Sequence, residues 1–144
     1  MQCVSAKEKI YCDRDKLFSF FWDIEKWSSF WSPIHNISVF YDDRLNQDFY
    51  MSVDWQDGAH SIRTVRFQVD GNIHFFSPLP PPPTKSHQGK WEFVEANKGI
   101  IEVMASRLFE LPSNWDNSKT QIFLESFTDR LKQILREVKT ACEN

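Results

Sequence analysis

Hydrophobic and polar positions change period twice along this chain, and each change marks a new kind of element. Residues 2–11 read as a first strand that ends at Cys12-Asp13. Asp13 is placed to cap a helix, because a short carboxylate can accept from the N–H groups that a first turn leaves without partners. Leu17, Phe18, Phe21 and Ile24 then recur at helical spacing. A second short helix is predicted over Lys26–Phe30, stopped by Pro33.

From His35 the period falls to two. His35–Tyr41 is strand-like, and Asp42-Asp43-Arg44 is a polar turn. Phe49–Trp55 sets Phe49, Met51, Val53 and Trp55 on one face and Tyr50, Ser52 and Asp54 on the other. Gln56-Asp57-Gly58 turns into a strand over Ser61–Val69, and Asp70-Gly71 is a hairpin signal. Strands follow at Asn72–Ser77, Gly89–Glu95 and Ile100–Leu111, the last two joined through Asn97-Lys98-Gly99. The facing of Ser61–Val69 stays open. Val65, Phe67 and Val69 make one apolar side; Ile62, Thr64, Arg66 and Gln68 make the other. If the apolar side points inward, Arg66 points out, and Arg63 joins the inner face.

The tail returns to a helical period. Ile122, Phe127, Leu131, Ile134, Leu135, Val138 and Ala141 fall on one stripe, and Ser118 with Gln121 reads as a capping box. A helix of about two dozen residues would be roughly 35 Å long. Lys132, Arg136 and Lys139 in its C-terminal half suit the helix dipole. The order is thus strand, two short helices, six further strands and one long helix. This predicts an α+β fold in a single domain, 1–144, with a curved antiparallel sheet of about seven strands around the C-terminal helix. A sheet that curls around a helix can leave a hollow between them.

Composition adds one bias. Aromatics are 15% of the 144 residues, with 13 Phe and 6 Trp, far more than one corner of a core needs. Phe21, Trp22, Trp27, Phe30 and Trp31 crowd a single short stretch. The net charge of −3, without a basic block, argues against nucleic acid and against an anionic membrane surface. No apolar run reaches the roughly 18 residues of a membrane span. Cys3, Cys12 and Cys142 are odd in number and lack CxxC spacing, so they read as reduced thiols in a cytoplasmic protein. No histidine pair has zinc-ligand spacing, and no phosphate loop or serine elbow is present, so neither metal nor cofactor is expected.

The order of elements resembles the helix-grip fold of the START and Bet v 1-like superfamily, and more closely its polyketide cyclase/dehydrase (aromatase/cyclase) branch. The resemblance is carried by Asp23-Ile24-Glu25-Lys26-Trp27, which matches an Asp-Ile-Glu-x-Trp pattern, and by the spacing through Trp31 and Ile34 into the next strand. Thr64-Val65-Arg66 stands where that branch carries Ser-x-Arg, and Trp91 matches a later-strand tryptophan. Some cyclases carry a cavity tyrosine where this chain has Ile34, with His35 beside it. The resemblance implies an aldol cyclisation and dehydration of a poly-β-ketone chain, handed over by an acyl carrier protein or bound as a free hydrophobic molecule.

That chemistry needs a bent chain, a donor for the oxygen that develops charge, and an acid or base. Arg66, with a guanidinium that keeps its charge when buried, is the first candidate, and His35 is the candidate acid or base. His87, after the proline run, is a second such candidate; against these stands the reading of Arg66 as a surface strand arginine and of both histidines as non-catalytic surface or strand histidines. Trp27, Trp31, Ile34, Thr64, Trp91, Phe93 and Arg107 are the expected substrate-lining residues. The Ser77–Ser86 segment, SPLPPPPTKS, reads as a stiff loop over the cavity mouth rather than a polyproline ligand or a linker. The alternative function is a carrier or sensor of a lipid, quinone or aromatic metabolite. A third is an interaction domain or homodimer, favoured if the Val65–Val69 side faces outward.

Overall fold

A computed structural model describes residues 1–55 and 58–143. Strand β1 (Gln2–Tyr11) is followed by helix α1 (Arg14–Trp22) and a 3₁₀ helix (Ile24–Ser29). Six strands come next: β2 (Ile34–Asp42), β3 (Asn46–Trp55), β4 (Gly58–Val69), β5 (Asn72–Leu79), β6 (Ser86–Asn97) and β7 (Ile100–Glu110). Helix α2 (Asn117–Glu143) closes the chain. The strands form one antiparallel sheet in the order β1-β7-β6-β5-β4-β3-β2, so β2 to β7 are successive hairpins and β1 returns to pair with β7. This is the expected helix-grip architecture. No helix among the described residues is long and apolar enough to cross a membrane.

Local chemistry explains the element ends. Asp13 caps α1 by accepting from Lys16 N at 3.2 Å, and Leu17, Phe21 and Trp22 form its buried face. Asp70 and Gly71 both have positive φ, 52° and 78°, which suits the two-residue turn between β4 and β5. The expected turn at Gln56-Asp57 lies outside the described residues.

Two expectations for α2 are corrected. Asp116, not Ser118, caps it: its Oδ1 accepts from Lys119 N at 2.7 Å, and Gln121 bonds forward to Glu125. The buried stripe runs through Phe123, Phe127, Leu131, Leu135, Val138 and Cys142, while Ile122 is 65% exposed. Phe123 stands one helical i,i+4 step before Phe127 and so shares its inward face, packing on Phe109 and Trp115. Cys12 and Cys142 are both buried, and burial with the neighbouring Cys12 pushes the Cys142 thiol up to about 12, far from a reactive thiolate.

The facing of β4 is set by its register with β3. Gln47 pairs with Arg66, Phe49 with Thr64 and Met51 with Ile62, and directly paired residues share a face of the sheet. The buried side of β3 therefore draws Ile62, Thr64 and Arg66 inward. Val65, Phe67 and Val69 are left on the outer surface, and Arg63 bonds Asp48 there through two hydrogen bonds of 3.1 and 2.7 Å.

Candidate functional site

A hollow of about 150 Å³ lies between the inner face of the sheet and α2. The 3₁₀ helix and the residues after it supply Ile24, Trp27 and Trp31. Strand β3 supplies Phe49, Met51, Val53 and Trp55; β4 supplies Ile62, Thr64 and Arg66. Phe75, Ser77, His87, Trp91 and Arg107 complete the sheet side. Phe127, Arg130, Leu131 and Ile134 on α2 form the opposite wall, and Pro81 borders it from the β5–β6 loop. That loop is tied down: Trp55 Nε1 donates to the Pro82 carbonyl, and Lys85 N donates to Glu110 O at 2.8 Å.

The crowded aromatic stretch divides its work. Phe21 and Trp22 are fully buried core. Trp27 meets Phe21 and Trp91 edge-on at 5.8 and 5.9 Å and still borders the hollow, as does Trp31. Such pairs hold the rings in fixed orientations, so this wall is rigid.

Arg66 is 2% exposed. Its Nε donates to Gln47 Oε1 at 2.8 Å, and its Nη2 donates to the Trp22 carbonyl at 2.7 Å. Gln47 Nε2 in turn donates to Trp22 O and to Asp42 Oδ2, both at 3.0 Å, while Trp22 Nε1 donates to Asp42 Oδ1 at 3.0 Å. The guanidinium sits over Trp22 and Phe49, 5.3 Å from each ring centre. Burial pulls its pKa down to about 9, opposed by Asp42 and Asp23, so it remains a cation at neutral pH.

Arg107 lies on the same cross-strand row. Arg66 pairs with Phe75, Phe75 with Gly89, and Gly89 with Arg107. Its guanidinium stands 4.6 Å from the Phe75 ring centre and 4.4 Å from that of Trp91, and burial together with repulsion by Arg66 lowers its pKa to about 9. Position 89 is glycine: a Cβ there would meet the Ser106 carbonyl oxygen first, and then Arg107 Cδ at 2.9 Å and Phe75 Cζ at 3.0 Å.

His87 faces the same space. Its Nδ1 lies 3.4 Å from Ser77 Oγ, which lies 3.4 Å from Thr64 Oγ1, while its Nε2 is buried without a hydrogen-bond partner. Burial, and then the charge of Arg107, hold its pKa down to about 3, so the ring is neutral. A buried polar nitrogen left without a partner is expensive, and a ligand atom could satisfy it.

Of the sequence candidates, Arg66, Thr64, Trp27, Trp31, Trp91 and Arg107 are brought together around the hollow. Three are placed elsewhere. His35 follows the inward Ile34, so strand alternation turns it out; its side chain is 53% exposed and pairs with Asp54 at 2.7 Å. Ile34 is buried opposite Val53 at the start of β2, outside the lining. Phe93 packs edge-on to Phe18 and Phe21, deeper than Trp91. Missing from the sequence-based site were Ser77 and Arg130, and His87 was weighed there only as a less favoured acid or base. The period of β6 held a usable signal, because His87 shares the parity of Trp91 and Phe93.

By sequence the chain matches no family model and no curated protein. Solved structures do match it. The Zhui aromatase/cyclase from a Streptomyces species has a TM-score of 0.86 at 13% identity, covering 99% of this chain and 93% of that one. A START superfamily protein from Mycobacterium smegmatis has a TM-score of 0.84 at 10% identity, over 98% and 97% of the two chains. The di-domain ARO/CYC StfQ from the steffimycin biosynthetic pathway has a TM-score of 0.82 at 18% identity, and this chain spans 51% of it. These likenesses show the START-like helix-grip fold, on which aromatase/cyclases are also built.

Proposed function

We propose that this protein binds a poly-β-ketone chain in its hollow and promotes aldol ring closure followed by dehydration. The observation that carries the proposal is the pairing of a buried cationic donor, Arg66, with a neutral imidazole whose Nε2 lacks a partner, His87, on one ring-walled space. A simple apolar carrier has no use for either group. The volume matches an apolar cavity that holds a single benzene-sized ring, about 150 Å³, so it would seat the segment that becomes the ring.

An α-hydrogen between two ketones is acidic enough to pass to solvent water, and its loss leaves an enolate. The enolate carbon attacks a distant carbonyl carbon, and the electron pair of that C=O moves onto its oxygen. Arg66 stabilises the developing alkoxide until it takes a proton back from solvent. His87, in the tautomer whose Nδ1 accepts from Ser77, presents Nε2–H to the attacked carbonyl as a neutral donor. Loss of that hydroxyl with a second α-hydrogen, as water, gives the conjugated ring. The aromatic walls hold the chain bent and keep bulk water out.

The test compares the products of a minimal polyketide synthase alone, with the protein, and with Arg66→Gln or His87→Phe. The protein should redirect the products, and loss of the Arg66 donor should lower the rate of the directed product by about 100-fold. Identical products in every case would transfer the protein to the carrier or sensor class.

A further inference from the structure

Arg107 poses a question that ring closure does not answer. Among the described residues that line the hollow, the charged side chains are all arginines: Arg66, Arg107 and Arg130. Arg66 feels Asp42 and Asp23, which favour its charge, and Arg130 feels Asp54. The charged neighbour of Arg107 is Arg66, which opposes it. Arg107 is 5% exposed, and its Nη1 donates to two neutral carbonyls, Ser106 O at 2.8 Å and Lys90 O at 3.3 Å.

Two aromatic faces do not make up for this. A cation–π contact is worth much less than the desolvation of an isolated ion. Strand parity nonetheless turns Arg107 inward, opposite the bare position of Gly89 and on the same wall as a second cation. A buried guanidinium that faces no acid among the described residues, with two flat rings beside it, is a receptor for a planar anion.

We infer that the hollow receives its ligand as a monoanion, whose planar two-oxygen group, a carboxylate or the enolate of a 1,3-dicarbonyl, is seated on Arg107 between Phe75 and Trp91. This rests on the first half of the function proposed above, that the hollow binds a ligand, and not on the ring-closing step. The ring of the ligand lies toward Trp27 and Trp31, and its charge lies on the sheet row.

The experiment titrates the whole protein with three probes, read by the fluorescence of the tryptophans around the hollow. Benzoate and benzamide have one shape and differ in charge. Benzoylacetone reports its own ionisation, because its enolate absorbs to the red of the neutral form. Benzoate should bind at least about tenfold tighter than benzamide. Benzoylacetone should show the enolate band at a pH where the free compound is neutral. Tight benzoate with neutral benzoylacetone assigns the seat to carboxylates; an enolate band with weak benzoate assigns it to 1,3-dicarbonyls.

In Arg107→Met the benzoate preference should shrink to about twofold or less while the melting temperature holds or rises, because an uncompensated buried charge has been removed. Arg107→Lys should keep part of the preference. Equal binding of benzoate and benzamide by the unaltered protein, with benzoylacetone bound neutral, overturns the inference whatever the variants do. If that result comes with redirected synthase products, only this inference fails. Charge preference with unchanged products defeats only the ring-closing proposal.

Discussion

Arg66 and Arg107 stand on one row of the sheet, three strands apart, with Phe75 and Gly89 as the positions between them. Both guanidiniums face the hollow, and Arg66 raises the cost of the charge on Arg107. The row places two cations on one wall with an aromatic ring and an empty position between them. This arrangement fixes where charge can be received, and it ties several residues into one energetic unit.

Gly89 is the steric key of that row. Gly89→Ala should destabilise the protein by about 1–3 kcal/mol, because the new methyl group overlaps the Ser106 carbonyl oxygen of β7 and also crowds Arg107 and Phe75. Gly58 has nothing within 4 Å of its ideal Cβ position and serves as the control. Urea denaturation of Gly89→Ala and Gly58→Ala should separate the two by at least 1 kcal/mol, about the lower end of the overpacking range. Equal midpoints would mean that the row has slack.

Gln47 should behave as a buried bridge. It is 1% exposed and links Arg66, the Trp22 carbonyl and Asp42. Gln47→Leu leaves Arg66 Nε and one oxygen of Asp42 without this partner, at a cost of about 1–3 kcal/mol, while Arg66 Nη2 keeps the Trp22 carbonyl. The same variant should weaken any activity that depends on Arg66, since nothing then fixes its Nε. Denaturation and product assays on one preparation would measure both effects.

His87 should give the stability curve a slope. Its imidazole takes up a proton near the ordinary histidine value of 6.5 in the unfolded chain and only near pH 3 in the folded protein. Between these values the unfolded chain binds more protons, so stability falls as pH falls. From pH 7 to pH 5 this amounts to about 2 kcal/mol, at about 1.4 kcal/mol per unit below the unfolded pKa. Asp43, Asp48 and Glu143, whose pKa values are lowered by their hydrogen bonds, add their own losses only further into acid. Denaturant midpoints of the unaltered protein and His87→Phe across that window should diverge toward pH 5, with the variant flatter.

Phe127 couples α2 to the sheet. It stacks on Phe109 at 5.0 Å and meets Trp55 edge-on at 5.5 Å. Phe127→Ala should cost about 3–5 kcal/mol and enlarge the hollow. The enlarged space should shift affinity toward bulkier probes, with naphthoate gaining on benzoate. A uniform loss for both probes would instead indicate that the helix has moved away.

Much of the fold could be read from the chain because its two periods are clean. The alternation of β3 and the stripe of α2 each place most of a surface against the core. Errors arose where local patterns compete. Ser118 and Asp116 both offer a capping oxygen, and only the helix start separates them; Ile122 and Phe123 are adjacent apolar residues, of which only Phe123 keeps the i,i+4 step to Phe127. The facing of β4 was illegible within the strand, because valines and a phenylalanine make its outer side the more apolar one. Its facing is dictated by pairing with β3, a long-range relationship.

The site was half legible for a related reason. Arg66, Thr64, Trp27, Trp31 and Trp91 sit at positions that the family resemblance marks, although the apolar side of β4 pointed Arg66 and Thr64 outward. His35 misled because it is adjacent to an inward residue, and adjacency in a strand means the opposite face. His87 was undervalued because nothing local shows that one of its nitrogens ends up enclosed.

The bare position at Gly89 also bears on descent. A side chain gained there would collide first with the carbonyl oxygen of Ser106, and only then with Arg107 Cδ and Phe75 Cζ. The glycine is therefore expected to be inherited whatever residue stands at 107. Homologues can lose the arginine, and with it the preference for a negatively charged guest, without losing the glycine.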